Sequence, residues 1–212
     1  MKKIFLTIAL LVSCIFVNAQ KENEGGQLIK NHSFEDEAKP IRNRRFGPNG
    51  EGELFGGYLP AGIIPGWIIA NYKEEKSKIE ITTDALLDEA QHKALRWVIT
   101  EANITAPATI ANTGFHGIEA VEGNRYTLTF WARADKKYKG QLLVGLQSKS
   151  LDGTWHAQAP VKGKIKKKWK KYTITFTAKH SSKNARFVIS ADMPGTLYFD
   201  EVSLYCPSAI KR

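Results

Sequence analysis

The sequence runs to 212 residues, 42% hydrophobic and 25% charged, an ordinary globular composition that excludes intrinsic disorder. Its two cysteines, Cys14 and Cys206, exclude a disulfide-stapled scaffold and a four-thiolate zinc site. The formal charge of +10 speaks for acidic partners and solubility rather than for any fold.

Met1-Lys2-Lys3 is a short cationic start, Ile4 to Val17 is nearly all apolar, and Asn18-Ala19-Gln20 offers a small residue for a signal peptidase. A membrane-spanning helix needs about 20 apolar residues, so this stretch reads as a signal peptide, residues 1–19, and not as a stable membrane span. An alternative is Leu11-Val12-Ser13-Cys14 as a lipoprotein box with Cys14 acylated. Either route makes the protein secreted or periplasmic. Nucleic acid is then not the expected partner of its basic surface.

From Gln20 to about Gly66 the chain is rich in Gly, Asn, Pro and charge. Gln27–Lys30 and the Phe34 region read as strand, and Arg42–Gly50 reads as a loop. Lys78–Thr82 and Ala94–Thr100 alternate. Arg125–Arg133 alternates most cleanly, with Tyr126, Leu128 and Phe130 on one face and Thr127, Thr129 and Trp131 on the other. Gln141–Gln147, Lys171–Thr177, Ala185–Ser190 and Thr196–Leu204 follow, each bounded by turn residues. Asp84–His92 alone looks briefly helical. Short alternating strands at this spacing predict an all-β fold, a single β-sandwich over residues 20–212. Its inward set is Tyr126, Leu128, Phe130, Val144, Leu146, Tyr172, Ile174 and Phe176.

No catalytic constellation stands out. The sequence has no Gly-x-Ser-x-Gly elbow, no His-Glu-x-x-His and no phosphate-binding glycine loop, and its five histidines show no ligand spacing. The aromatic residues carry more. Sugar rings have apolar C–H faces that stack on indole, while their hydroxyls need planar polar partners. Trp131 shares a strand face with Thr127, Thr129 and Arg133, where a large ring needs a ligand or a covering segment. The Arg42–Tyr58 loop is long enough to be that cover, which would make Trp131 a packing residue. Gln147 is expected to line the same surface as Trp131 and Arg133, and Trp155 to form a rim beside it. Trp67 and Trp169 read as packing residues. Lys162–Lys171 holds seven lysines in ten residues, suited to an acidic polymer or to a solvated loop.

Three segments together resemble a known family. They are Gly25-Gly26-Gln27-Leu28-Ile29-Lys30-Asn31-His32-Ser33-Phe34-Glu35, then Ala111–Ile118 leading through Glu122-Gly123 into Tyr126–Arg133, and finally Trp169–Tyr172 with Leu197–Leu204. In this order they resemble the carbohydrate-binding-module-like N-terminal domain of family 51 α-L-arabinofuranosidases. That domain is similar to family 4 and 9 carbohydrate-binding modules, which are galactose-binding-like jelly rolls. The resemblance implies a carbohydrate-binding function serving polysaccharide or another glycan, and the aromatic and polar residues read above place its site at Trp131, Arg133, Gln147 and Trp155. It also implies a structural calcium shared by Glu35 and Asp200, since calcium takes about six to eight oxygen ligands. In those enzymes a catalytic barrel of about 250 residues would follow a segment like Val202–Pro207, and this chain ends at Arg212. The expected function is therefore an exported, non-catalytic accessory to polysaccharide degradation, able to dock on other exported glycan-degrading proteins. Two alternatives stand beside it: an interaction domain without a sugar site, and an arabinofuranosidase fragment lacking its barrel.

Overall fold

The structure is a computed structural model that describes residues 26–36, 39–40, 62–70, 76–84, 86–87, 93–115, 117–149 and 153–207. The segment read as a signal peptide, Cys14 and the Arg42–Tyr58 stretch read as a loop lie outside these residues, as does most of the stretch read as helical. Among the described residues there is no α-helix.

Two antiparallel sheets face each other. In one, β10 (Trp155–Pro160), β9 (Leu142–Ser148), β12 (Ser182–Ala191), β6 (Ala108–Asn112) and β3 (Trp67–Ile69) lie in that order, and β7 (Ile118–Ala120) also pairs with β12. The other is built from β11 (Lys170–Thr177), β8 (Arg125–Ala134), β13 (Gly195–Tyr205), β5 (Ala94–Ile99) and β4 (Ser77–Thr82). A small ribbon joins β1 (Lys39–Pro40) to β2 (Gly62–Ile63). This is the expected β-sandwich.

Alternation along the strands decides what lies between the sheets. All eight residues of the expected inward set are buried in one continuous core. Across the β11–β8 ladder, Phe130 meets Tyr172 and Tyr126 meets Phe176 in stacked pairs, with centroids 5.3 and 5.9 Å apart. In β13 the alternation is rescued by a bulge. Asp200 pairs with Trp131 and Ser203 with Thr129, so one extra residue sits between them, and Glu201 takes φ 49°. The inserted residue reverses parity. Leu197 and Phe199 before it and Val202 and Leu204 after it therefore all reach the core.

The N-terminal segment is a strap across the two sheets rather than the expected strand. Leu28 N–H donates to Leu204 O on β13 at 3.0 Å, and Gln27 Oε1 accepts the Leu204 N–H at 3.0 Å. On the other side, Asn112 of β6 accepts from Lys30 N–H and donates to Lys30 O. Asn31 (φ 50°) and Phe34 (φ 60°) leave extended geometry, which turns the Phe34 ring into the core against Trp67 at 5.2 Å. The turn follows because tertiary packing of one ring outweighs the local β pattern. Trp67 Nε1–H donates to Asn31 O at 3.2 Å, so the strap is held by a ring pair and a hydrogen bond together.

Candidate functional site

The outer faces of the two sheets carry the residues singled out from the sequence, and they carry them separately. Trp131 and Arg133 project from β8 on the outside of the β11–β8–β13–β5–β4 sheet, opposite the buried Phe130 and Ala132. Gln147 on β9 and Trp155 on β10 are direct cross-strand partners in the other sheet. The single surface expected from Trp131, Arg133, Gln147 and Trp155 is therefore not formed. Alternation assigned Trp131, Arg133 and Gln147 correctly to outer faces, but alternation within a strand does not say which sheet the strand joins.

Arg133 is embedded in a polar ladder of its own sheet. Its guanidinium lies 4.6 Å from the Tyr198 ring centroid, and Nη2 is 3.4 Å from Asp135 Oδ1. Tyr198 pairs in register with Arg96, and Arg96 with Glu80, to which it donates a hydrogen bond. Hydrogen bonds from Lys78 and then from Arg96, with both charges behind them, hold the Glu80 carboxyl below its ordinary value against the opposing effect of burial. Trp131 lies one step away, half-buried, between Asp200 on β13 and Lys171 on β11.

On the other sheet the outer face forms a grid. Trp155, Gln147 and Arg186 stand in one row across β10, β9 and β12, and Arg186 Nη2 donates to Gln147 Oε1 at 2.9 Å. The next row is Gly145, Val188, Ala111 and Ile68 across β9, β12, β6 and β3. Beyond it, Thr109 and Ser190 pair and share a hydroxyl hydrogen bond of 2.9 Å. Ile68, Ala70, Ala111 and Val188 make a second apolar cluster, distinct from the main core, with the half-buried Trp155 packed against it. A guanidinium and an amide are thus fixed at the edge of an apolar bed, with an indole beside them. Two planar polar groups and one ring are the chemistry that a pyranose or furanose face requires.

Local backbone explains why this row is so arranged. The β9–β10 register shifts between Trp155 and Ala157, bringing Ala157 O so close that a Cβ on Gly145 would lie 2.0 Å from it. Glycine is required there, and the shift sets Trp155 opposite Gln147. Arg186 was missed by the sequence reading. It is only 4% exposed, and its signal was a lone cation inside the apolar run Ala185–Ala191. Such a buried charge is costly unless hydrogen-bonded, as Arg186 is to Gln147. Lys149 follows the end of β9, and burial, with the Arg186 charge second, pushes its ammonium below the usual lysine range.

Glu35 and Asp200 lie on elements joined by a hydrogen bond from Val202 N–H to His32 O at 2.8 Å. Asp200 is fully buried, and its Oδ1 accepts the Glu201 N–H at 2.8 Å. Glu35 is engaged by Lys93, whose N–H donates to the carboxylate at 3.1 Å and whose ammonium donates to the Glu35 carbonyl at 2.9 Å. Among the described residues no three His, Cys, Asp or Glu side chains are grouped to hold a metal. A buried carboxylate such as Asp200 suits a cation. At Glu35 a cation, Lys93, is already supplied by the chain.

Likeness to known proteins agrees with this architecture. An extracellular exo-α-L-arabinofuranosidase from Streptomyces chartreusis is 32% identical over 104 residues, 49% of this chain and 12% of that enzyme. A solved arabinose-bound family 51 α-L-arabinofuranosidase superposes with a TM-score of 0.63 at 19% identity, over 86% of this chain and 26% of that one. A solved family 4 carbohydrate-binding module superposes with a TM-score of 0.51 at 18% identity, over 84% of this chain and 99% of the module. The chain thus spans a small part of both enzymes and nearly the whole of the module. Among the described residues no helix is long and apolar enough to cross a membrane. The carbohydrate binding domain family of types 4 and 9 matches residues 26–195, most of the sandwich, and the chain belongs to that family.

Proposed function

We propose that this chain is a non-catalytic module that holds a polysaccharide on the outer face of the β10–β9–β12–β6–β3 sheet. The observation that carries the reading is the Trp155–Gln147–Arg186 row beside its apolar bed. Trp155 stacks on a sugar ring and Gln147 bonds its hydroxyls, while Arg186, buried behind them, holds the Gln147 amide in place. The apolar Ile4–Val17 segment and the extracellular relative both support export, to the periplasm or beyond, where the module would serve polysaccharide degradation beside other exported enzymes. Pull-down with arabinan, xylan, a β-glucan and polygalacturonate tests it. Retention on at least one polymer, with no release of reducing sugar, is expected. Indifference to every polymer would make the fold an interaction domain. Hydrolysis abolished by changing a single Glu or Asp would make it an enzyme.

The calcium reading is a separate proposal, supported by Asp200. Its buried carboxylate is an oxygen donor of the kind calcium prefers, and Lys93 is the internal competitor at Glu35. An ion bound only to the folded state stabilises it by mass action, so a chelator should lower the melting temperature and added calcium restore it. Melting that ignores both would leave the cation's place at Glu35 to Lys93.

A further inference from the structure

The chain's positive charge is not spread over its surface. Residues 135–141 and 161–171 hold ten lysines and one acid, Asp135, and so account for nearly all of the formal +10. All ten lysines are exposed. The two stretches also lie side by side. Ala134 N–H donates to Lys166 O and Tyr138 N–H to Ile165 O, both at 2.9 Å, and the Lys164 ammonium reaches the carbonyls of Lys139 and Gly140.

The longer stretch is anchored at regular points. Val161 and Ile165 are buried, with Val161 N–H bonded to Leu142 O, and the Trp169 indole N–H donates to Leu86 O at 2.8 Å. Every fourth residue is thus fastened to the sandwich, and the lysines between face solvent. The shorter stretch is pinned by Tyr138, whose hydroxyl donates to Met193 O and accepts from Met193 N–H. A fixed array of like charges within about one Debye length of each other repels itself, a cost that a polyanion would relieve.

Protection of a sheet edge does not account for this. β11 is an edge strand, but only Lys170 and Lys171 lie on it, and the other eight lysines are in loops without a ladder to protect. General solubility would not require such concentration. Lys171 sits directly across from Trp131, so one end of the array borders an aromatic ring. Among the described residues the exposed large apolar side chains are Ile104 and Met193, too few to insert into a bilayer.

We propose that the two lysine loops form a second binding surface, separate from the Trp155 face, for an acidic polysaccharide carrying carboxylate or sulfate groups. Affinity electrophoresis in gels containing polygalacturonate, dextran sulfate or neutral xylan tests this. The full chain is compared with the Lys162→Gln, Lys166→Gln, Lys167→Gln, Lys168→Gln variant, and the pair Lys136→Gln, Lys137→Gln serves should the first fail to fold. Both acidic polymers should retard the wild type, and retardation should fall about tenfold in the fourfold variant and steeply with salt, as counterion release dictates. Any retention on neutral polymers should survive in the variant, which separates this surface from the Trp155 site. Equal retardation by acidic and neutral gels, or none lost in either variant, would overturn the proposal. So would binding to phosphatidylglycerol vesicles without binding to either acidic polymer, which would assign the surface to lipid.

Discussion

Replacing Trp67 by alanine is expected to cost about 3–5 kcal/mol, measured by denaturant unfolding, which is a large share of the roughly 5–15 kcal/mol that stabilises an ordinary domain. The ring is fully buried on β3 and meets Phe34 at 5.2 Å and Phe187 at 6.3 Å. Its loss opens a cavity at the point where the N-terminal strap enters the core. It also leaves Asn31 O without the indole N–H, and Asn31 is itself 2% exposed. Trp67→Phe keeps a ring and loses the hydrogen bond, so it should cost less, with a polar contribution of about 1 kcal/mol. A loss below about 1 kcal/mol for the alanine variant would show that the strap is fastened elsewhere.

The sandwich was legible because most strands have one wet face. In β8 and β11, Tyr126, Leu128, Phe130, Tyr172, Ile174 and Phe176 alternate with threonines and lysines, and each is buried as the period demands. The strands passed over were the two-residue β1 and β2, and β3, β6, β7 and β10. β6 (Ala-Thr-Ile-Ala-Asn) is buried at every position, because it lies mid-sheet with apolar groups on both faces. Such a strand has no alternation to detect. The functional face suffered for the same reason. Arg186 sits in β12, whose last seven residues are all buried, so nothing in its local pattern separates its outer face from the one that meets the core. Gln147 and Trp155 were found through their chemistry, but their partner was supplied by sheet order, which pairs β9 with both β10 and β12.

Sheet order also gives the half-buried indoles of the two outer faces different neighbours. Trp155→Ala is expected to weaken retention on a glycan about tenfold or more, the cost of losing a stacking hot spot of ~2 kcal/mol. Trp131→Ala should leave the same retention within about twofold. The reason lies in the neighbours. Trp155 is flanked in register by Gln147, which the buried Arg186 holds at 2.9 Å and so keeps oriented for a ligand. Trp131 is flanked by Asp200 and Lys171, and nearby Arg133 is spent on Tyr198 and Asp135. Because Trp155 also packs against Ile68, Ala70, Ala111 and Val188, its truncation should lower the melting temperature somewhat. Gln147→Glu controls for that: it keeps an acceptor for Arg186 and removes no packing from the cluster, yet loses the amide donor, and should weaken retention while melting near wild type. If Trp131→Ala abolished retention and Trp155→Ala did not, the sugar would lie on the opposite sheet, with Asp200 and Lys171 as its polar neighbours.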